Sequence, residues 1–484
     1  MKPQDALLMN SDESSAGRTL DRNAVGFWQL TYQSISLIAP AGAMAATLTG
    51  AAVYAKGALP LAMLAGVITA AFMINTTVQF AKSIASAGGF YGYIAHGLGS
   101  RLAVFGAMLF LLSYFNILTN ALVFLGGVFV PGVAAHFLGI SLPGWVWWPA
   151  ALLFYGLILA LALRGIRPSL KYAVLTGTLE IGVLLVLSVL LIVSTPHPMS
   201  TAVFNPEWAA GGWSGFAHGV LIAMFAVSGS SAAVSLGEET HAPERRIRWA
   251  VIAAFLFSSL LFFLMAYALT VAWGYRQMGS FAHSLVPGAI LVRHTLKSPA
   301  LAWLLIALIA NSLLAGSLAP LLSSARMVFA LARDGVIFPP ALGRLDRRNN
   351  PAQALIWITI AGAALSLATG FWLGPFKGFI ILVTTSSMAL FLGHLLANFA
   401  LGPYARKCGQ AHWFFHWLAP GLASLFIASA MVVTFIPPSF PSDLAPLFIF
   451  LCLVVVGLRL RQVPPRTLAQ AGLLNVIDEG APPI

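Results

Sequence analysis

Between Asp21 and Glu238 the chain holds only two acidic residues, Glu180 and Glu207. Glu207 falls in a polar, proline-bearing stretch and reads as a loop residue. Glu180 sits inside a long apolar run, flanked by Thr176-Gly177-Thr178-Leu179 and Ile181-Gly182-Val183. A carboxylate in such surroundings is costly to keep charged, so the group can take up and release a proton. A structural role competes: a carboxyl bonded to a neighbouring helix would fix packing and do nothing else.

Two further stretches could act through their backbone. Ala39-Pro40-Ala41-Gly42-Ala43 and Ala226-Val227-Ser228-Gly229-Ser230-Ser231 each fall halfway along an apolar run. Proline removes an amide donor and clashes with the turn before it. Glycine and serine loosen a helix further. In lipid, non-helical backbone survives only against protein or a cavity, so such breaks point to a binding site. The exposed half-helix ends would offer N–H groups to an anion and C=O groups to a cation, and a zwitterion carries both charges. Close helix packing is the plainer use of these residues, but it does not explain their recurrence.

The elements that would carry these groups are helices in a bilayer. Charged residues are 8% of the 484 and apolar residues 59%, against about 25% charged in a soluble domain. Apolar runs fall near residues 26–50, 58–81, 102–130, 145–164, 171–194, 214–236, 248–273, 299–331, 351–372, 377–401, 415–437 and 443–461. Each is long enough to span a hydrocarbon core, and none alternates with period two, which disfavours a β-barrel. The expected class is an all-α polytopic membrane protein of 12 transmembrane helices. Of the 26 Lys and Arg, all but Lys56, Arg276, Arg293, Lys297 and Lys377 fall on one side of this arrangement. The positive-inside rule then places both termini in the cytosol of a multi-pass inner-membrane protein. Residues 1–23 and 462–484 read as cytosolic tails around a transporter-sized unit, 24–461.

The net charge of +12 does not imply nucleic acid, because the basic residues lie in short loops rather than on one face. Cys408 and Cys452 form no disulfide or metal pattern. No paired acids, His-rich metal spacing or nucleophile with its base stand together, so enzymatic chemistry has no constellation to use. No cofactor is expected. Trp145, Trp147 and Trp148 read as an interfacial belt.

Three stretches resemble the amino acid–polyamine–organocation superfamily, in its bacterial amino acid permease form. The first is Ser86-Ala87-Gly88-Gly89-Phe90-Tyr91-Gly92-Tyr93 followed by Leu98-Gly99. The second is Phe225-Ala226-Val227-Ser228-Gly229, then Gly237-Glu238-Glu239 and Pro243-Glu244-Arg245-Arg246-Ile247. The third is Arg326-Met327-Val328-Phe329-Ala330-Leu331-Ala332-Arg333-Asp334-Gly335. The resemblance implies a 5+5 inverted repeat (24–194 and 214–401) with discontinuous helices 1 and 6, two peripheral helices (415–461), and alternating access. It implies that the amides of Ala41, Gly42 and Ala43 receive a substrate carboxylate. The carbonyls of Phe225, Ala226 and Ser228 would receive its ammonium, with Gly229 giving room and Phe225 serving as an aromatic gate. Pro40 departs from the usual glycine there and has no amide to offer. The resemblance also places Glu180 in the corner between helices 1, 5 and 8, as a proton-coupling group.

Asn116 and Asn311 are the other polar residues expected to reach a midplane pocket. His218 and His394 are assigned no site role. Ser312, Ser317, Ser323 and Ser324 could supply oxygen ligands to sodium, although a proton is the expected partner ion. The cluster Glu238, Glu239, Glu244, Arg245, Arg246 and Arg248 reads as a cytosolic helix end, with a solvated charge run preferred to the alternative of gate salt bridges with Arg333 and Asp334. No Arg or Lys, and no acid besides Glu180, lies at membrane depth. That leaves a neutral amino acid or related amine as the small-molecule substrate. The expected function is proton-coupled secondary active uptake across the cytoplasmic membrane. An amino acid or amine exchanger is one alternative, and a transporter-like nutrient sensor is another.

Overall fold

Proline decides where the chain first breaks. The residue before a proline is biased away from right-handed helical backbone, and at Ala39, unlike at Val130 before Pro131, the helix gives way. The computed structural model, which describes residues 20–196, 199–284, 286–435 and 440–477, has α1 (Phe27–Ile38) stop there. Ala39 takes φ 50° and ψ 70° and returns its N–H to Ile35 O at 2.9 Å. Pro40 then opens α2 (residues 40–55) in the first-turn position that proline suits. The same chemistry recurs at Ala242-Pro243, where another left-handed alanine precedes the start of a helix.

The described residues hold no strand, only one isolated bridge between Val25 and Thr240. After α2 come α3 (Leu59–Phe80), the short α4 (Phe90–Leu98), α5 (Ser100–Leu138), α6 (Trp147–Ala162) and α7 (Ile166–Val193). The second half opens with α8 (Trp213–Val227) and α9 (Ser228–Glu239), then α10 (Pro243–Trp273), α11 (Pro287–Thr295), α12 (Pro299–Arg333), α13 (Ala352–Leu373) and α14 (Pro375–Lys407). α15 (Phe414–Thr434) and α16 (Ser442–Leu460) pack on the outside of α3, α5 and α14 and are the least buried of the long apolar helices. A last short helix, α17 (Pro465–Gln470), follows.

By length and apolarity, ten helical stretches among the described residues can cross a membrane. The first of them, Phe27–Phe80, includes the change of direction at Lys56, whose φ is 43°. α6 is apolar but shorter. Each half therefore begins with an interrupted helix: α1/α2 at Ala39, and α8/α9 at Ser228, where regular α-helix gives way to a tighter 3₁₀ run. The two interruptions touch. A Cβ on Gly229 would stand 2.9 Å from Ile38 Cγ1 and 3.2 Å from Ile38 N, so only glycine admits this approach of α9 to the end of α1. α12 presses on the same point through Gly316, against Ala39 and Ser36 O.

Both described ends of the chain lie on one face, called here the terminal face. Asp21 pairs with Arg167 at 3.2 Å, and Val25 N–H donates to Glu239 O at 3.0 Å. The region after 462, read above as a tail, is docked as far as it is described. Leu468 and Ala471 are buried, Gly472 N–H donates to Asp334 Oδ2 at 2.8 Å, and Asn475 receives Ala85 N–H at 2.9 Å while donating to Ser83 O at 2.9 Å. Residues 1–19 and 478–484 of the two expected tails lie outside the described residues. Of the expected tryptophan belt, Trp145 is exposed but Trp147 turns inward against Gly370 and Phe371.

Candidate functional site

The two helix breaks border a cavity of about 100 Å³. Gly42 and Ala43 of α2 form part of one wall, and Phe225, Ala226, Ser228 and Gly229 part of another. α5 contributes Tyr114, Ile117, Asn120, Ala121 and Phe124. α14 contributes Phe379, Val383, Leu390 and His394. From Val383 to His394 is 11 residues of α-helix, so the cavity is roughly 16 Å long at about 1.5 Å per residue. It runs away from the terminal face as far as Thr47, Phe124 and Phe379, and most of its wall is apolar.

Three residues expected at the pocket do not line it. Asn116 is buried and donates to Leu112 O of its own helix at 2.8 Å. The asparagine that faces the cavity is Asn120, one turn further along α5. Asn311 accepts the Tyr172 hydroxyl at 2.7 Å, tying α12 to α7. Ala41 faces the other side of α2, toward Glu180.

The amides at the break are also not free. Ala41 N–H donates to Glu180 Oε1 at 2.6 Å, Gly42 N–H donates to Ser312 Oγ at 3.1 Å, and Ala43 N–H bonds back to Ala39 O. A half-helix leaves its first amides without intrahelical partners, and here side chains from α7 and α12 cap them. Ser312 in turn donates to Glu180 Oε1 at 2.7 Å. One hydroxyl therefore connects the cavity-lining Gly42 to the buried carboxylate. Glu180 stands between α2, α7 and α12, at the positive end of the α2 dipole, which favours an anion. Of the other serines weighed as cation ligands, Ser317 bonds its own helix at Leu313 O, and Ser323 meets Gln33 and Ser235.

Toward the terminal face the polar groups are dense and paired. Arg326 and Glu239, both buried, form a two-pronged ion pair: Nε to Oε2 at 2.5 Å and Nη2 to Oε1 at 2.8 Å. Arg333 grips Glu238 with both terminal nitrogens, at 2.9 and 3.0 Å. Glu238 also receives Ala87 N–H at 2.9 Å. Glu238 and Glu239 are thus no solvated charge run, the preferred sequence reading; Glu238 instead forms the alternative salt bridge with Arg333, and Glu239 pairs with Arg326. Burial pushes the Asp334 carboxyl above the usual carboxylate range, against the opposing pull of the Gly472 amide and Arg333. The three stretches that carried the resemblance meet here, one supplying a backbone amide, one the two acids and one the two arginines.

The sequence profile of the family described as "Amino acid permease" matches residues 29–461. The chain belongs to the amino acid permease family. Among curated proteins, no sequence matches it. Among solved structures, one that resembles it is the substrate-bound, outward-open state of a Na⁺-coupled sialic acid symporter. That match has 13% identity and a TM-score of 0.54, covering 88% of this chain and 90% of the other. At that identity the likeness speaks to the fold alone. The permease is accordingly a multi-pass membrane protein and a secondary transporter, and not an enzyme.

Sequence reasoning missed His394, Tyr114 and Asn120 as cavity residues. A polar residue repeating at three- or four-residue spacing along an apolar span marks a face, but only packing tells which face meets the cavity.

Proposed function

We propose that this permease takes up a small neutral amino acid or a related amine across the cytoplasmic membrane, coupled to protons, with its termini in the cytosol. The hydrogen-bonded chain from Gly42 through Ser312 to Glu180 carries the reading, because it joins the cavity wall to a buried carboxylate midway along the apolar helix α7. A solute carboxylate would take the Gly42 and Ala43 side of the break, displacing the neutral Ser312 hydroxyl from the Gly42 amide. Its ammonium would lie against the carbonyls of Phe225, Ala226 and Ser228. A proton on Glu180 removes the charge that α2 and Ser312 now hold, and charge-assisted hydrogen bonds are about twice as strong as neutral ones. Protonation would loosen the hold of α7 on α2 and α12, the elements that meet at the break. A proton thus favours the solute anion's arrival and the helix movement together.

The test is uptake into proteoliposomes under an imposed pH gradient. Glu180→Gln is expected to abolish accumulation against a gradient while leaving exchange measurable. Gradient-driven accumulation equal to wild type would remove the coupling role. An exchanger is the second reading, favoured by the same short bonds from Ala41 and Ser312, which would also suit a fixed structural carboxylate. It predicts uptake only when the vesicles are preloaded with solute, whatever the pH gradient.

A further inference from the structure

His394 lies on α14 at the deep end of the cavity and is fully buried. Neither ring nitrogen has a hydrogen-bond partner among the described residues. Its ring is held edge-on by Phe90 and Phe110, with centroids 4.9 and 5.2 Å away and both interplanar angles 78°. Gly393 lets α14 lie directly on the Phe110 ring, where a Cβ would meet its atoms at 2.9–3.1 Å. The imidazole is thus positioned by packing alone, and its two polar atoms are unmatched.

Such a group is poorly explained by packing. A buried polar atom without a partner is destabilising, and native interiors satisfy nearly all of them. Phenylalanine or leucine would fill an aromatic slot without that cost. The ring borders the cavity with its nitrogens closed off in this state, so a partner would reach them as the wall opens. A neutral imidazole presents one donor and one acceptor, and no Asp, Glu, Lys or Arg lines the cavity. The complement is therefore an uncharged hydrogen-bonding group such as a hydroxyl or carboxamide. Tyr114 and Asn120 line the same cavity without a hydrogen bond to the rest of the described protein and present further polar atoms.

We propose that His394 is a solute-binding residue that selects solutes with a neutral hydrogen-bonding side group, the remaining apolar wall receiving the hydrocarbon part. This rests on the reading of the cavity as the amino acid site. Near-isosteric pairs expose it: threonine against valine, and asparagine against leucine. A site built to hydrogen-bond a polar group discriminates strongly against the analogue that lacks it.

The experiment measures uptake of these four radiolabelled amino acids by purified protein in proteoliposomes, for wild type, His394→Phe and His394→Gln. Wild type is expected to favour the polar member of each pair by about tenfold or more in kcat/KM. His394→Phe should bring both ratios near unity, and His394→Gln should retain part of the preference. Ratios unchanged in His394→Phe, or a wild-type preference for valine and leucine, would overturn the role of His394 while leaving the transport reading intact. Uptake of none of the four by wild type would overturn the transport reading itself. Should His394→Phe fail to fold, ligand-induced thermal stabilisation of wild type decides: greater stabilisation by threonine than by valine supports the role, and equal stabilisation overturns it.

Discussion

The terminal face and the mid-membrane cavity of this permease handle polar groups in opposite ways. At the terminal face Arg326, Arg333, Glu238, Glu239 and the Ala87 amide are matched donor to acceptor, and the segment after α16 adds Gly472 and Asn475 to the lattice. In the cavity most of the wall is apolar, and the side chains of His394, Tyr114 and Asn120 make no hydrogen bond to the described protein. A matched network resists change, while an unmatched one awaits a ligand. The contrast teaches that this structure is closed by charge at one end and left incomplete at its centre, which suits a carrier whose terminal-face path is shut. Beside the cavity lies Glu180, matched on one oxygen by Ala41 and Ser312.

The comparison can be broken most severely at Arg326. Removing one partner of a buried ion pair strands the other charge and costs about 3–5 kcal/mol. Arg326→Ala should therefore give protein that melts far lower in detergent or fails to elute as a single species. Replacing both partners with apolar residues, Arg326→Met with Glu239→Leu, should recover most of that loss, since paired removal of buried charge is often near neutral.

A smaller effect is expected at the rim. Arg333 is about a third exposed, so solvent screens its pair with Glu238 more than it does the Arg326 pair. Glu238→Gln should cost about 1 kcal/mol and raise thiol-reagent labelling of a cysteine placed at Ala87, as the terminal-face path opens more often. Unchanged labelling would mean that the pair does not hold that path shut.

Asn475→Ala removes two bonds between the docked segment and residues 83–85. Faster amide exchange over 465–477, with transport retained, is the expected result. The smallest effects should come from Asn116 and Asn311, which face away from the cavity. Alanine at either position should leave KM for the transported solute within about twofold, because neither side chain lines the cavity and KM moves with lost substrate contacts. A tenfold change in KM at Asn116 would mean that the cavity wall is drawn on the wrong face of α5.

How much of this was legible in the sequence differs by element. Pro40 points to the first break because the residue before a proline is biased away from helix, and Ala39 takes left-handed backbone. The Gly/Ser run at 226–231 announces the second break through weak helix propensity, and the helix tightens there rather than stopping. The isolation of Glu180 was visible because acids are rare in apolar spans. Its partners were not, since Ala41 and Ser312 lie 139 and 132 residues away along the chain. Asn116 and Asn120 are one helical turn apart and alike in type, so sequence had no ground for preferring the one that faces the cavity. The pairing of Glu239 with Arg326 was hidden for a related reason: a charge run looks solvated until the partner from another helix arrives.

By itself the sequence determined the solvent, the helical class and the places where helices must give way, because these follow from local chemistry: hydropathy over twenty residues, a missing amide, a carboxyl among hydrocarbons. Only the tertiary structure decided that the amides of the first break are capped by Glu180 and Ser312, that three distant motifs form one lock, and that His394 faces the cavity without a partner. Those outcomes depend on which faces of distant helices meet, and hydrogen bonds and ion pairs reach only about 3 Å, a scale that the order of residues along the chain does not encode.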